Sequence, residues 1–78
     1  MTNQDIAREL EEIADLLEIA EANPFRIRSY RRASEAVADL AEEAATLVAE
    51  DRLTEVPGIG KGIAAVIEQL VTTGVSED

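Results

Sequence analysis

Apolar positions in this chain recur at spacings of three and four, the period of an amphipathic helix, and nowhere alternate as a half-buried strand would. Ile6, Leu10, Ile13, Leu17 and Ala20 form the first stripe. Thr2 or Asn3 can cap a helix running to about Ala20, with Asp5 and Glu9 near its positive end. Asn23-Pro24 opens a second helix, with Asn as cap and Pro at the first helical position, where its missing N–H is no loss. At about 100° per residue, Ile27, Tyr30, Ala33, Val37 and Leu40 fall on one arc and Arg28, Arg31 and Arg32 on the other. That helix is expected to reach about Leu40 with its arginines facing out.

Ala41 to Glu50 predicts a third, shorter helix with Leu47 and Val48 inward, and Arg52 to Val56 a short helical turn before Pro57. Gly58 and Gly60 break the chain. A last helix is expected from about Lys61 to Thr73, with Ile63, Ile67, Leu70 and Val71 on one side and Gly74 as its stop. The fold class is therefore all-α, a compact domain of four to five helices spanning residues 1–78. Its expected core is Ile6, Leu10, Ile13, Leu17, Tyr30, Val37, Leu47, Val56, Ile59, Ile63, Ile67 and Leu70.

Composition narrows what such a domain can do. At 78 residues it has room for one modest core, because a chain this small buries only ~60% of its unfolded surface. There is no cysteine and no histidine. Disulfides, cysteine-ligated metals, the usual neutral-pH general base and the commonest metal ligand are thereby excluded. The start lacks the features of a secretory signal, and no apolar run approaches the ~20 residues of a membrane span. We read the chain as cytoplasmic, without a membrane partner and monomeric.

The net charge is −10, which runs against the basic footprint usual for nucleic-acid binding. Its distribution changes the picture. Residues 1 to 23 carry −6, residues 35 to 55 carry −6, and the segment 24 to 34 carries +4 from Arg26, Arg28, Arg31 and Arg32. A patch of that kind can act locally, because charges more than roughly 8 to 10 Å apart are largely screened at physiological salt.

The segment from Leu53 to Ile67, Leu-Thr-Glu-Val-Pro-Gly-Ile-Gly-Lys-Gly-Ile-Ala-Ala-Val-Ile, fits the helix-hairpin-helix pattern, with the whole motif expected over 53–71. Glycines allow a tight turn and close approach by a phosphate, Ile59 plugs the turn into the core, and small Ala64 lets the flanking helices pack. The helix that follows presents free N–H groups and its positive dipole end. Gly58, Ile59, Gly60, Lys61 and Gly62 are thus candidate phosphate contacts, joined by Arg26, Arg28, Arg31 and Arg32. A plain tight turn is the bland alternative. Gly58-x-Gly60-x-Gly62 matches neither the dinucleotide fingerprint nor the P-loop, which both need a preceding strand.

Asn23-Pro-Phe-Arg-Ile-Arg-Ser-Tyr-Arg-Arg-Ala33 and Asp15-Leu-Leu-Glu-Ile19 extend the likeness over nearly the whole chain. Together with the hairpin, they resemble the N-terminal domain of bacterial family X, polymerase beta-like DNA polymerases. The resemblance implies a module that grips the 5′-phosphate side of gapped DNA, with the polymerase domains of a longer parent chain as further partners. It implies no required cofactor, but a monovalent cation (potassium or sodium) on the backbone carbonyls of Thr54, Val56 and Ile59. In polymerase beta-like enzymes the domain is also a deoxyribose phosphate lyase acting through a lysine Schiff base. Here that position is Val66, which cannot form an imine, and a supporting lysine is replaced by Arg26. The chain ends soon after its last helix and carries no nucleotidyl-transfer carboxylates, so the expectation is a non-enzymatic DNA-binding segment of a repair polymerase.

Three choices stay open at this level. The arginines can meet phosphates or pair with nearby acids such as Glu35 and Asp39. Glu11, Asp15 and Glu18 share a helix face that can be a solvated stripe, a divalent-cation site or an acid-base pair, and Tyr30 can pack in the core or stack on a base. For the chain as a whole, the alternatives to DNA binding are a residual lyase using Lys61 and an acidic module for a basic protein partner.

Overall fold

The computed structural model describes residues 2–73. Four α-helices, α1 (Asn3–Ile19), α2 (Pro24–Ala38), α3 (Ala44–Ala49) and α4 (Lys61–Thr73), are joined by loops and one 3₁₀ turn, Leu53–Glu55. No strand occurs among the described residues, and the fold is all-α. Gly74, expected to stop the last helix, lies outside them.

Helix α1 starts at a capping box. Asp5 N–H donates to Thr2 Oγ1 and Thr2 N–H donates to Asp5 Oδ2, both at 3.1 Å, so two backbone donors that a helix start would strand are paired. The bond from the Thr2 backbone N–H, and then that from the Thr2 hydroxyl, hold the Asp5 carboxyl below its ordinary pKa. The helix ends in a Schellman turn, in which Ala22 N–H donates to Leu17 O at 2.9 Å and Glu21 N–H to Glu18 O at 3.0 Å. Glu21 accordingly sits at φ 58°, a conformation that suits glycine better.

Helices α1 and α2 run antiparallel, and small residues at their interface, Ala7, Ala14 and Ala33, let them pack closely. Ser34, buried there, donates its hydroxyl to Ala7 O at 2.9 Å, so its burial leaves no unpaired polar group. Ile6, Leu10, Val37 and Ile67 are the largest fully buried side chains, which ties α1, α2 and α4 into one core. Each contributes roughly 1.5–3 kcal/mol by leaving water. Ile13, Leu17, Val56 and Leu70, expected in the core, are only partly buried against it, while Ala44 and Leu53 are core members that the stripe pattern did not single out.

Two boundaries differ from expectation. Helix α2 stops at Ala38, and α3 begins at Ala44 rather than Ala41. The start of α3 is set by a long-range cap. Asn3 Nδ2 donates to Glu42 O at 2.8 Å and Ala44 N–H donates to Asn3 Oδ1 at 2.7 Å. Glu43, at the N-cap position of α3, makes no side-chain cap of its own, so Asn3 of the neighbouring helix supplies it and holds residues 40–43 out of helix.

Candidate nucleic-acid interface

The hairpin between the 3₁₀ turn and α4 is pinned by one side chain. Ile59 is 4% exposed, its N–H donates to Val56 O at 3.1 Å, and Val56 N–H donates to Leu53 O at 3.0 Å. With Ile59 inward, the Gly60 backbone is turned outward, while Gly58 is half-buried against α2. Gly58 takes φ 95°, where an L side chain is strained. Gly60 is the N-cap of α4, since its carbonyl accepts from Ala64 N–H at 2.8 Å. Its φ is not in the left-handed region, and nothing lies within 4 Å of a Cβ built on Gly60 or on Gly62.

The N–H groups of Gly58, Gly60, Lys61, Gly62 and Ile63 have no backbone partner among the described residues. They are the hairpin apex and the first turn of α4, where helix geometry leaves donors free and the dipole is positive. Glycine in a first helical turn lowers helix stability, and the chain's own packing does not call for it at position 62.

Beside this hairpin, α2 forms the opposite wall of an open groove of about 960 Å³. Arg26, Arg28 and Arg32 line it from one side and Gly58, Ile59, Gly60 and Gly62 from the other. Phe25, Ile63 and Val66 supply apolar surface within it, and Glu55 is its one acid. Phe25 is 72% exposed, with the Arg28 guanidinium 5.7 Å from its ring centre, a cation–π arrangement.

The positive side chains divide into two sets. Arg8, Arg31 and Arg52 are paired within the chain, whereas no ion pair involves Arg26, Arg28, Arg32 or Lys61 among the described residues. Arg31, expected to face out with the other arginines, instead lies against α1. It reaches Glu11 at 3.0 Å, Asp15 at 3.1 Å and Glu18 at 2.8 Å. The hydrogen bond to Asp15, and then that to Glu18, raise its pKa further above the ordinary arginine value. Three acids and one arginine thus pair with each other, which neither reading of the acidic stripe had included, and Arg31 alone of the α2 arginines pairs, with these acids rather than with Glu35 or Asp39.

Arg52 is held in the same way by Glu50 at 2.7 Å and Glu55 at 3.4 Å. The Glu50 bond is the larger cause of its raised pKa. Lys61 lines a separate, smaller cleft with Asp51, Thr54 and Glu68 and does not border the arginine groove. Tyr30, 6% exposed, is a core residue whose edge borders the groove.

Sequence reasoning missed Phe25. The available signal was its position off the apolar arc of α2, one turn from Arg28 and two from Arg32, in a chain with only one phenylalanine.

Thr54, Val56 and Ile59 all border the groove. The Thr54 carbonyl accepts no backbone hydrogen bond, because the residue three further on is Pro57, which has no N–H, while the Val56 carbonyl already takes one from Ile59. Oxygen donors of this kind suit a hard cation. No cluster of three or more acids, histidines or cysteines able to hold a metal ion occurs among the described residues. No described helix is long and apolar enough to cross a membrane.

An all-helical body carrying a glycine hairpin at the start of its last helix defines a class, and a family model described as a helix-hairpin-helix domain matches residues 1–76. The chain belongs to that family. It is also 36% identical over 76 residues to the DNA polymerase/3'-5' exonuclease PolX of Bacillus subtilis (strain 168), in that relative's N-terminal region. The match covers 97% of this chain and 13% of the relative.

Proposed function

We propose that the chain binds DNA without sequence preference, as the N-terminal module of a family X repair polymerase, and that it favours gapped DNA bearing a 5′ phosphate. One observation carries this reading. The cations left unpaired on α2, Arg26, Arg28 and Arg32, share a groove with the outward glycine backbone. A phosphodiester fits both walls, since guanidinium groups and helix-start N–H groups are the two common phosphate donors. Open space at Gly60 and Gly62 supports the same ligand, because a side chain there would obstruct its approach rather than the chain's own packing.

Phosphate contacts position a protein and carry no sequence information, and the groove offers no set of amide side chains for reading base edges. Phe25 gives an apolar face beside the backbone track, suited to an unpaired base or an end. The carbonyls of Thr54, Val56 and Ile59 would hold a monovalent cation between hairpin and phosphate, where it would offset the negative charge of the backbone. Arg31 is no part of this interface.

In isolation the module is non-catalytic. The groove is bordered by Val66 at the family's imine position, and Lys61 faces the other cleft. Polymerase domains and DNA would be the partners in a parent chain.

The test is a fluorescence titration of gapped DNA with and without its 5′ phosphate at low salt. Expected is weak binding, in the range of about 10⁻⁴ to 10⁻⁶ M typical of non-specific complexes, tighter with the phosphate present. Equal affinity for both would leave DNA binding but remove the end preference. No binding by folded protein would favour an acidic module for a basic protein partner.

A further inference from the structure

Gly58 and Arg32 touch in a way that phosphate binding alone does not require. A methyl group placed on Gly58 would lie 3.2 Å from Arg32 Cγ and 3.5 Å from both Arg32 Cδ and Ala36 Cβ. Arg32 and Ala36 are four residues apart and so stack on one face of α2. The hairpin apex therefore rests on that face, and the aliphatic stem of Arg32 lies across it. The same arginine borders the groove and makes no ion pair with any described acid. Its neighbour Arg31 is consumed by three carboxylates, and Arg28 leans on Phe25. Of the groove arginines, Arg32 is the one whose stem lies nearest Gly58.

We propose that Arg32 is the clasp of the groove: its stem holds the hairpin against α2 through Gly58, while its guanidinium meets the phosphate that the hairpin N–H groups receive. The second half of this role rests on the DNA-binding reading, and the first half does not. Long arginine stems bury methylenes while the charged head stays wet, so one side chain can do both. The consequence is coupling. Phosphate binding at the head draws the stem onto Gly58, and a hairpin held in place presents its N–H groups already oriented, which lowers the ordering cost of binding.

Two variants separate the halves. Arg32→Met keeps a stem of similar length without the charge, and Arg32→Ala removes both. Amide hydrogen exchange at Ile59, whose N–H closes the hairpin onto Val56 O, is read in the free protein. Arg32→Ala should speed it by roughly three- to tenfold, the effect of uncovering a few methylenes, and Arg32→Met by less than about twofold. Gapped-DNA binding is then read against salt. Both variants should lose about one unit of log–log slope, ~0.9 per neutralised phosphate, and Arg32→Ala should bind several-fold more weakly than Arg32→Met at high salt. Equal exchange in the two variants would overturn the stem's role. An unchanged slope in both would overturn the guanidinium's role while wild-type binding stands. A wild type that does not bind at all would remove the interface reading and the guanidinium's role together, with the exchange result still deciding the stem's.

Discussion

Replacing Gly62 by alanine should make the protein more stable and a poorer DNA ligand at once. Gly62 is the second residue of α4, its φ is not in the left-handed region, and nothing lies within 4 Å of where a methyl group would be. Alanine there costs no clash and removes the entropy penalty of glycine, a gain of roughly 0.5–1 kcal/mol. For a domain of this size, that is a rise of about 2–8 °C in melting temperature. The open space that tolerates the methyl group is the space a phosphate oxygen would occupy on its way to the α4 N–H groups. Lengthening one charge-assisted hydrogen bond costs about 1.5 kcal/mol or more, so affinity should fall at least roughly tenfold. No charge is removed, so the salt slope should hold. Thermal unfolding followed by circular dichroism and an anisotropy titration with gapped DNA read the two effects in one sample. A gain in stability with unchanged affinity would show that phosphate does not approach at Gly62.

Other outcomes follow from the same geometry. Arg28→Ala should lower affinity and reduce the salt slope by about one unit, whereas Arg31→Ala should leave the slope alone and reduce thermal stability, since Glu11, Asp15 and Glu18 would then face one another without a counter-charge; a slope change in Arg31→Ala alone would reverse the assignment. Glu21→Gly should stabilise by roughly 1 kcal/mol by relieving the left-handed residue of the α1 Schellman turn, with a lowered denaturation midpoint as the contrary result. The capping-box carboxylate of Asp5 has a lowered native pKa, so its contribution is fully present above the unfolded aspartate value of about 3.9 and is lost as pH falls through the lower native value. Urea unfolding at pH 7 and pH 3 should accordingly show Asp5→Ala less destabilised, relative to wild type, at the lower pH; an equal deficit at both would place the effect outside ionisation.

The parts legible in the sequence are those decided by residues close together in it. Helix α4 and the hairpin before it were readable because Val56-Pro57-Gly58-Ile59-Gly60 sets a turn locally and Ile63 and Ile67 repeat at helical spacing. The start of α3 was not readable, because the residue that caps it, Asn3, lies some forty positions away and a local reading assigns it to its own helix. Arg31 fails for a related reason. Its three partners were visible as a stripe on α1, and its outward angle on α2 was correct as an angle, but whether that angle points at water or at a neighbouring helix depends on how the two helices are packed together. Lys61 shows the limit at a finer scale. It belongs to the hairpin by sequence, yet a rotation of one residue about the α4 axis carries it out of the arginine groove and into the smaller cleft.

The claim that the groove between α2 and the hairpin takes the DNA backbone is tested most directly by following backbone amide resonances of labelled protein during titration with 5′-phosphorylated gapped DNA at low salt. Shifts should concentrate at residues 58–63 and at Phe25, Arg26, Arg28 and Arg32, saturating in the high-micromolar range or below, while the α1 face around Glu11 and Asp15 stays still. Shifts confined to that acidic face, or none in folded protein at millimolar DNA, would contradict it.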